Sequence, residues 1–365
     1  MSFRLKPVGE QTIVLTGASS GIGLATARAL AEQGATLVLV ARNQDALDAL
    51  AAECRAKGAR ALAIGADVGR YEDLERVAQR TIETLGGFDT WINNAGVTIY
   101  GTCEQVSLED QHRLFDTNYW GVVYGSLIAA RHLRERGGKL VNTGSVLSDR
   151  ALILQGPYSA SKHAVKAYTD ALRMELEESG APVSVTLIKP SAIDTPYMEH
   201  ARSYLASLGT KNPPPSYDPR LVAKAIVYAC ETHKRDLVVG FGGWAASALG
   251  QVAPRLTDRI MEAGGRALQE SPNPGRPQRR DNLYAAREDG AERSSLPGGV
   301  SHQACCWRRN CIRLSRPSSS SEREQVPAHG SSGTGGCDVA QKSRPEQRRG
   351  EDPGRTEAHP VSRPE

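Results

Sequence analysis

Seven short runs of β-branched and aliphatic residues alternate with longer stretches of helical period. This alternation limits what the front of the chain can fold into. The runs are Thr12–Leu15, Thr36–Val40, Ala61–Ile64, Thr90–Ile92, Lys139–Val141, Val183–Ile188 and Leu237–Val239. Between them the apolar residues recur at helical spacing over Ile22–Gln33, Gln44–Lys57, Leu74–Leu85, Gln111–Arg134, Ser159–Glu178 and Pro219–Thr232, several of these ending on a glycine such as Gly34, Gly58 or Gly180. Strands that are apolar on both faces, each followed by a helix, predict a parallel sheet covered on both sides.

The order β-α-β-α-β occurs twice. Right-handed crossovers then leave an α/β, doubly wound (Rossmann-type) sheet, mostly of seven parallel strands, as the expected fold. Residues 1–268 are expected to form one domain. Residues 269–365 are expected to be a low-complexity, disordered tail. The last 95 residues carry 10 Pro, 10 Gly and 13 Ser but only eight Ile, Leu, Val or Phe, too little apolar surface to offset the entropy of ordering the backbone. Arg279-Arg280, Arg308-Arg309 and Arg348-Arg349 are read as solvated tail residues.

Charge and cysteines exclude several classes. Residues 1–270 hold 29 basic and 29 acidic side chains and residues 271–365 hold 16 and 12, so the net +4 lies wholly in the tail. A neutral front argues against nucleic-acid binding, which draws its affinity from cations replacing phosphate counterions. The seven cysteines form no C-x-x-C, so no metal site and no disulfide framework is expected, and a reducing, cytoplasmic setting is. No secretory leader and no apolar run of 18 residues is visible, and no membrane span is expected. Leu237–Ala253, rich in Gly and Ala, reads as a core strand followed by a packing helix.

The first strand runs into Thr16-Gly17-Ala18-Ser19-Ser20-Gly21-Ile22-Gly23 and then into an Ala-rich helix. Glycines let the backbone approach closely, and the unpaired N–H groups and dipole of a helix start favour a pyrophosphate. The spacing is G-x-x-x-G-x-G. At the end of the second strand, where an NAD binder of this kind carries a carboxylate for the ribose 2′-hydroxyl, stands Ala41-Arg42. A cation there favours a 2′-phosphate, hence NADP over NAD.

Tyr158-Ser159-Ala160-Ser161-Lys162 places a phenol and an ammonium one helical turn apart. A phenol titrates near pH 10 in water, and a neighbouring cation is expected to lower that value. Ser145, just after a strand, can hold a carbonyl oxygen. Asn93-Asn94-Ala95-Gly96 follows the fourth strand, and Asn118 lies within the Gln111–Arg134 helix. Singly, these residues also fit structural roles: a surface pair, a turn hydroxyl, a strand-end bracket and a buried helix amide.

Together the motifs resemble the short-chain dehydrogenase/reductase family in its single-domain form, from about Glu10 to Gly240. The resemblance implies a catalytic set of Asn118, Ser145, Tyr158 and Lys162. It implies a cofactor site drawing on Gly17, Ser19, Ser20, Gly21, Ile22, Gly23, Arg42, Asp67, Val68, Asn94, Ala95, Gly96, Tyr158, Lys162, Pro190, Ile193 and Thr195. Within it, Asp67 would contact the adenine, the Asn94–Gly96 segment would lie under the adenine ribose, and Ile193 and Thr195 would hold the carboxamide. Tyr158 would exchange a proton with the substrate oxygen as hydride moves to or from the nicotinamide. Lys162 would lower the phenol's pKa and bind the ribose, and Asn118 would hold a water.

The family often has Pro-Gly after the sixth strand, where this chain has Pro190-Ser191. The Tyr197–Tyr217 loop, with Leu147, Ile153 and Leu154, suggests an apolar substrate pocket. The expected activity is NADP(H)-dependent hydride transfer to or from the carbonyl or secondary alcohol of a small, apolar molecule, and the resemblance implies a homo-oligomer, a dimer or tetramer, built through the helices after strands four and five. The alternatives are an NAD-dependent alcohol dehydrogenase of the same fold, and a non-enzymatic scaffold that binds the cofactor.

Overall fold

The computed structural model describes residues 3–205, 209–271, 281–287, 290–295 and 300–302. Seven strands form one parallel sheet: β1 Thr12–Thr16, β2 Thr36–Ala41, β3 Arg60–Gly65, β4 Thr90–Asn93, β5 Gly138–Thr143, β6 Val183–Pro190 and β7 Asp236–Val239. Their spatial order is β7-β6-β5-β4-β1-β2-β3. The chain therefore winds outward from β1 to β3, then returns to place β4 on the other side of β1, with Ile13 paired to Leu37 on one flank and to Thr90 on the other.

Alternation along each strand divides the apolar side chains between two layers. On one face Ile13, Leu15, Leu37 and Leu39 pack with residues of α1 (Gly21–Ala31), α2 (Gln44–Ala56) and α7 (Pro219–Glu231). On the other, Val14, Val38, Val40 and Trp91 pack with α3 (Tyr71–Leu85), α5 (Gly121–Arg136) and α6 (Gly156–Glu178). Burying a Leu or Val of this kind contributes roughly 1.5–3 kcal/mol. After β7, α8 (Phe241–Val252) and α9 (Pro254–Gln269) complete the described helices.

The segment expected as one helix over Gln111–Arg134 has three parts. α4 spans Leu108–Phe115, a π turn spans Asp116–Trp120, and α5 follows. A π turn accommodates an extra residue in the helix and is found mostly at functional sites. Here it carries Asn118. The carboxyl ends of β1 and β4 lie side by side where the winding direction reverses, so the glycine-rich turn and the Asn93–Gly96 segment meet at the crevice where open α/β sheets bind ligands.

Of the stretch expected to be disordered, residues 269–271, 281–287, 290–295 and 300–302 are described and lie against the domain. Leu283 is fully buried. The three Arg pairs and Cys305, Cys306, Cys311 and Cys337 lie outside the described residues. Among the described residues, no helix is long and apolar enough to cross a membrane, and no group of His, Cys, Asp or Glu is disposed to hold a metal ion.

Candidate active site

The glycine-rich turn is shaped by positions where a side chain has no room. Gly17 and Gly21 adopt φ of 66° and 55°, in the left-handed region that favours glycine. A Cβ on Gly23 would stand 1.8 Å from the Gly17 carbonyl oxygen, and one on Gly17 would stand 2.7 Å from the Ala95 Cα. The Asn94 amide clips the turn from below, donating to the carbonyls of Thr16 at 3.1 Å and Gly17 at 3.2 Å. Thr16 answers through its hydroxyl, which accepts the backbone N–H groups of Asn94 and Ala95. Asn93 serves the core instead: its amide donates to Asn142 at 2.9 Å and accepts the Trp91 indole N–H.

α6 begins at Gly156 with Pro157 in its first turn, which presets the helical φ there. Tyr158 follows, and Lys162 lies one turn on. The Lys162 ammonium donates to the Thr143 carbonyl at 3.0 Å and sits 5.8 Å from the centroid of the Tyr158 ring. Burial lowers the Lys162 pKa to about 8. The Tyr158 phenol departs from the sequence expectation. Burial raises its pKa above 10, and the opposing influences come from the hydroxyls of Tyr197 and Ser145, not from Lys162. The cation lies over the ring and is engaged by a carbonyl, so its effect on the hydroxyl is outweighed by loss of solvent.

Ser145 is fixed by a reciprocal cap. Its Oγ accepts the Leu147 N–H at 3.1 Å, while the Ser148 hydroxyl accepts the Ser145 N–H at 3.1 Å. Asn118 is fully buried and grips Val97 at both ends, accepting the Val97 N–H at 2.8 Å and donating to its carbonyl at 2.9 Å. That grip holds the Gly96–Val97 backbone beneath Lys162; a Cβ on Gly96 would lie 3.8 Å from the Lys162 Nζ.

One cavity of about 410 Å³ joins these parts. Every residue that the sequence assigned to cofactor or catalysis lines it except Asn118, which stands behind Val97. Asp67 accepts from Arg113 at 2.6 Å and from the Gly69 N–H. Arg42 donates to the carbonyls of Asn282 and Leu283. Thr195 packs against Gly21, and Ile193 bridges to Tyr217. The Ser191 side chain that departs from the family pattern accepts the Gly243 N–H at 3.1 Å, in the first turn of α8.

The same cavity is lined by Leu147, Leu152, Met198, Met261, Leu268 and the Pro213–Pro215 run. Two expected pocket residues are elsewhere: Ile153 packs on Gly265 of α9, and Leu154 is buried with its carbonyl bonded to the Gly101 N–H. Tyr197, which the sequence placed only as the start of the loop over the pocket, stands edge-on to Tyr158 with ring centroids 6.1 Å apart and donates its hydroxyl to the Val97 carbonyl at 2.8 Å, a place beside the catalytic group that sequence reasoning missed. That reasoning also missed Thr143, His200 and the cavity-lining residues Asn282, Ala286 and Arg287. No spacing or motif marks these: Thr143 ends β5, Tyr197 and His200 follow β6, and residues 282–287 are distant in sequence.

The Gly17–Gly23 turn, lining one cavity with Tyr158 and Lys162, fits a nicotinamide dinucleotide. The comparisons agree. The short chain dehydrogenase family profile matches residues 11–205. The uncharacterized oxidoreductase YxnA of Bacillus subtilis is 47% identical over 286 residues, 78% of this chain and 80% of that protein. The ketoacyl reductase HetN of Nostoc is 32% identical over 261 residues, 68% of this chain and 88% of its own length. An alcohol dehydrogenase from the archaeon Thermococcus sibiricus, solved in complex with 5-hydroxy-NADP, superposes with a TM-score of 0.55 at 26% identity, over 62% of this chain and 95% of that one. With a Rossmann-type sheet, a glycine cradle and a Ser-Tyr-Lys group at its switch point, this chain belongs to the short-chain dehydrogenase/reductase family, NAD(P)-binding oxidoreductases acting on CH–OH groups.

Proposed function

We propose that the protein transfers hydride between NADP(H) and a carbonyl or secondary alcohol of an apolar small molecule. The observation that carries this reading is one cavity lined together by the Gly17–Gly23 turn, Arg42, Ser145, Tyr158, Lys162 and apolar residues such as Leu147, Leu152 and Met261. The nicotinamide, when bound, supplies or accepts the hydride. The turn's backbone and the start of α1 would hold the pyrophosphate, Arg42 the 2′-phosphate, Asp67 and Val68 the adenine, and Asn94–Gly96 the adenine ribose. Pro190, Ile193 and Thr195 border the region for the carboxamide.

The chain's own groups then divide the work. Ser145, held by its cap, directs its hydroxyl toward the substrate oxygen. Tyr158, protonated at neutral pH in its buried setting, donates its proton to that oxygen in reduction and recovers one in oxidation. The Lys162 ammonium steadies the phenolate that remains and would bind the nicotinamide ribose. Asn118 fixes the backbone beside Lys162 and holds a water for proton exchange. Positioning and electrostatics supply most of the rate.

Relatives named for ketoacyl reduction and as 11-beta-hydroxysteroid dehydrogenase-like proteins of Arabidopsis thaliana favour an extended apolar carbonyl substrate. A panel of such carbonyls and alcohols, followed by absorbance of the reduced nicotinamide with NADPH and NADH, tests the reading. Turnover with NADPH preferred supports it, and an Arg42→Ala variant is expected to lose that preference by about tenfold or more. Equal use of NADH by the unsubstituted protein would overturn the cofactor assignment.

Exposed Trp120, Leu127 and Met174, in the α5 region and on α6, favour a homo-oligomer built through these helices. A monomer mass in sedimentation would contradict it. The free thiols of Cys54, Cys103 and Cys230 favour a reducing, cytoplasmic setting. Disulfide-linked protein recovered from cells would count against that location.

A further inference from the structure

The cavity has a wall that the family motifs do not supply. Residues 281–287 lie against the end that holds Arg42 and Asp67. Leu283, fully buried, belongs to the apolar cluster of Val97, Ile99, Val106 and Leu114. Asp281 accepts from Arg202 at 2.6 Å and from the Leu283 N–H at 2.9 Å, and the Tyr284 hydroxyl donates to Asp110 at 2.8 Å. These anchors present the Asn282 and Leu283 carbonyls to Arg42. Arg113, which holds Asp67, also donates to the Leu283 carbonyl at 3.1 Å. Asn282, Ala286 and Arg287 border the same cavity as the glycine-rich turn.

The geometry points to residues 281–287 as a working part of the nucleotide site, with their carbonyls orienting Arg42 and Arg287 providing a second cation for the 2′-phosphate. This rests on the NADP(H) reading above and adds residues to it. A guanidinium is a rigid planar fork, so two carbonyl bonds fix the plane in which Arg42 meets a phosphate. Arg287 is exposed, and its Nε donates to the Asp281 carbonyl at 3.1 Å, which ties its stem to the segment. A competing role makes the opposite prediction. The Ala291 carbonyl, beyond this stretch, accepts the Gly21 N–H at 2.9 Å, where a pyrophosphate would bind, so in that role the chain after residue 281 shuts the site.

The test is fluorescence titration of the full chain with NADPH and with NADH, comparing unsubstituted protein, Arg287→Glu and Leu283→Asp. Arg287→Glu, a surface change that leaves the core intact, is expected to weaken NADPH binding by about tenfold and NADH binding by less than about twofold. Leu283→Asp, which forces the segment off its apolar seat, is expected to weaken both. An unchanged NADPH-to-NADH ratio in Arg287→Glu overturns the inference even if Leu283→Asp fails to fold. Tighter binding by Leu283→Asp overturns it in favour of occlusion. If the unsubstituted protein binds neither nucleotide, the functional reading itself falls and this inference with it.

Discussion

The Lys162 ammonium stands over the face of the Tyr158 ring, 5.8 Å from its centroid, and donates to the Thr143 carbonyl at 3.0 Å. The phenol is an acid kept protonated by burial, flanked by the hydroxyls of Ser145 and Tyr197. That arrangement suits proton donation to a developing alkoxide. Proton removal in the oxidative direction needs added positive charge close by, and an oxidised nicotinamide would bring it.

Lys162 gives a pH signature. Its folded pKa of about 8 lies below the ordinary value near 10.5, so between these values the unfolded chain binds more protons than the folded one. Stability contributed at this position therefore rises with pH across that window. In urea unfolding compared from pH 7 to 10, the protein is expected to gain stability relative to Lys162→Met as pH rises; buried Lys139 is common to both and cancels. A difference that stays constant would contradict the buried ammonium.

Glycines separate by function. Gly23→Ala puts a methyl group 1.8 Å from the Gly17 carbonyl and is expected to abolish nucleotide binding, because the turn must shift. Gly264, in α9 with nothing within 4 Å of its added Cβ, is expected to gain up to about 1 kcal/mol on replacement by Ala, through helix propensity alone. Calorimetry and titration of the two variants check the contrast. Unimpaired binding by Gly23→Ala would remove the proposed cradle.

Asn118→Ala leaves the buried Val97 N–H without its side-chain partner and the Val97 carbonyl with only the Tyr197 hydroxyl. A cost of about 2–4 kcal/mol in unfolding free energy is expected, with a fall in turnover as the backbone beside Lys162 loosens. Denaturant unfolding measures the first and steady-state kinetics the second. A stability change near zero would show that the grip on Val97 is incidental.

The sheet and the motif positions were legible in the sequence because each depends on a local signal: two-sided apolar strands, glycines at fixed spacing, and Tyr and Lys one turn apart. The π turn at Asp116–Trp120 was not, since no residue type announces an extra residue in a helix. Ile153 and Leu154 were misplaced because apolar residues beside a site look the same whether they face ligand or core. Residues 281–287 were hidden by averaging. A stretch poor in apolar residues still contains Leu283, and one anchor with two ion-paired or hydrogen-bonded neighbours is enough to seat seven residues. The phenol's raised pKa also escaped, because spacing along a helix reports nearness of charge but not loss of water.

Single-turnover oxidation of bound NADPH by Tyr158→Phe, with a substrate found active for the unsubstituted protein, bears most directly on the proton-donor assignment. The rate is expected to fall by about a hundredfold to ten-thousandfold while nucleotide affinity stays the same, since the ring remains and only its hydroxyl is gone. Turnover within a few-fold of the unsubstituted protein would contradict the assignment of Tyr158 as the acid.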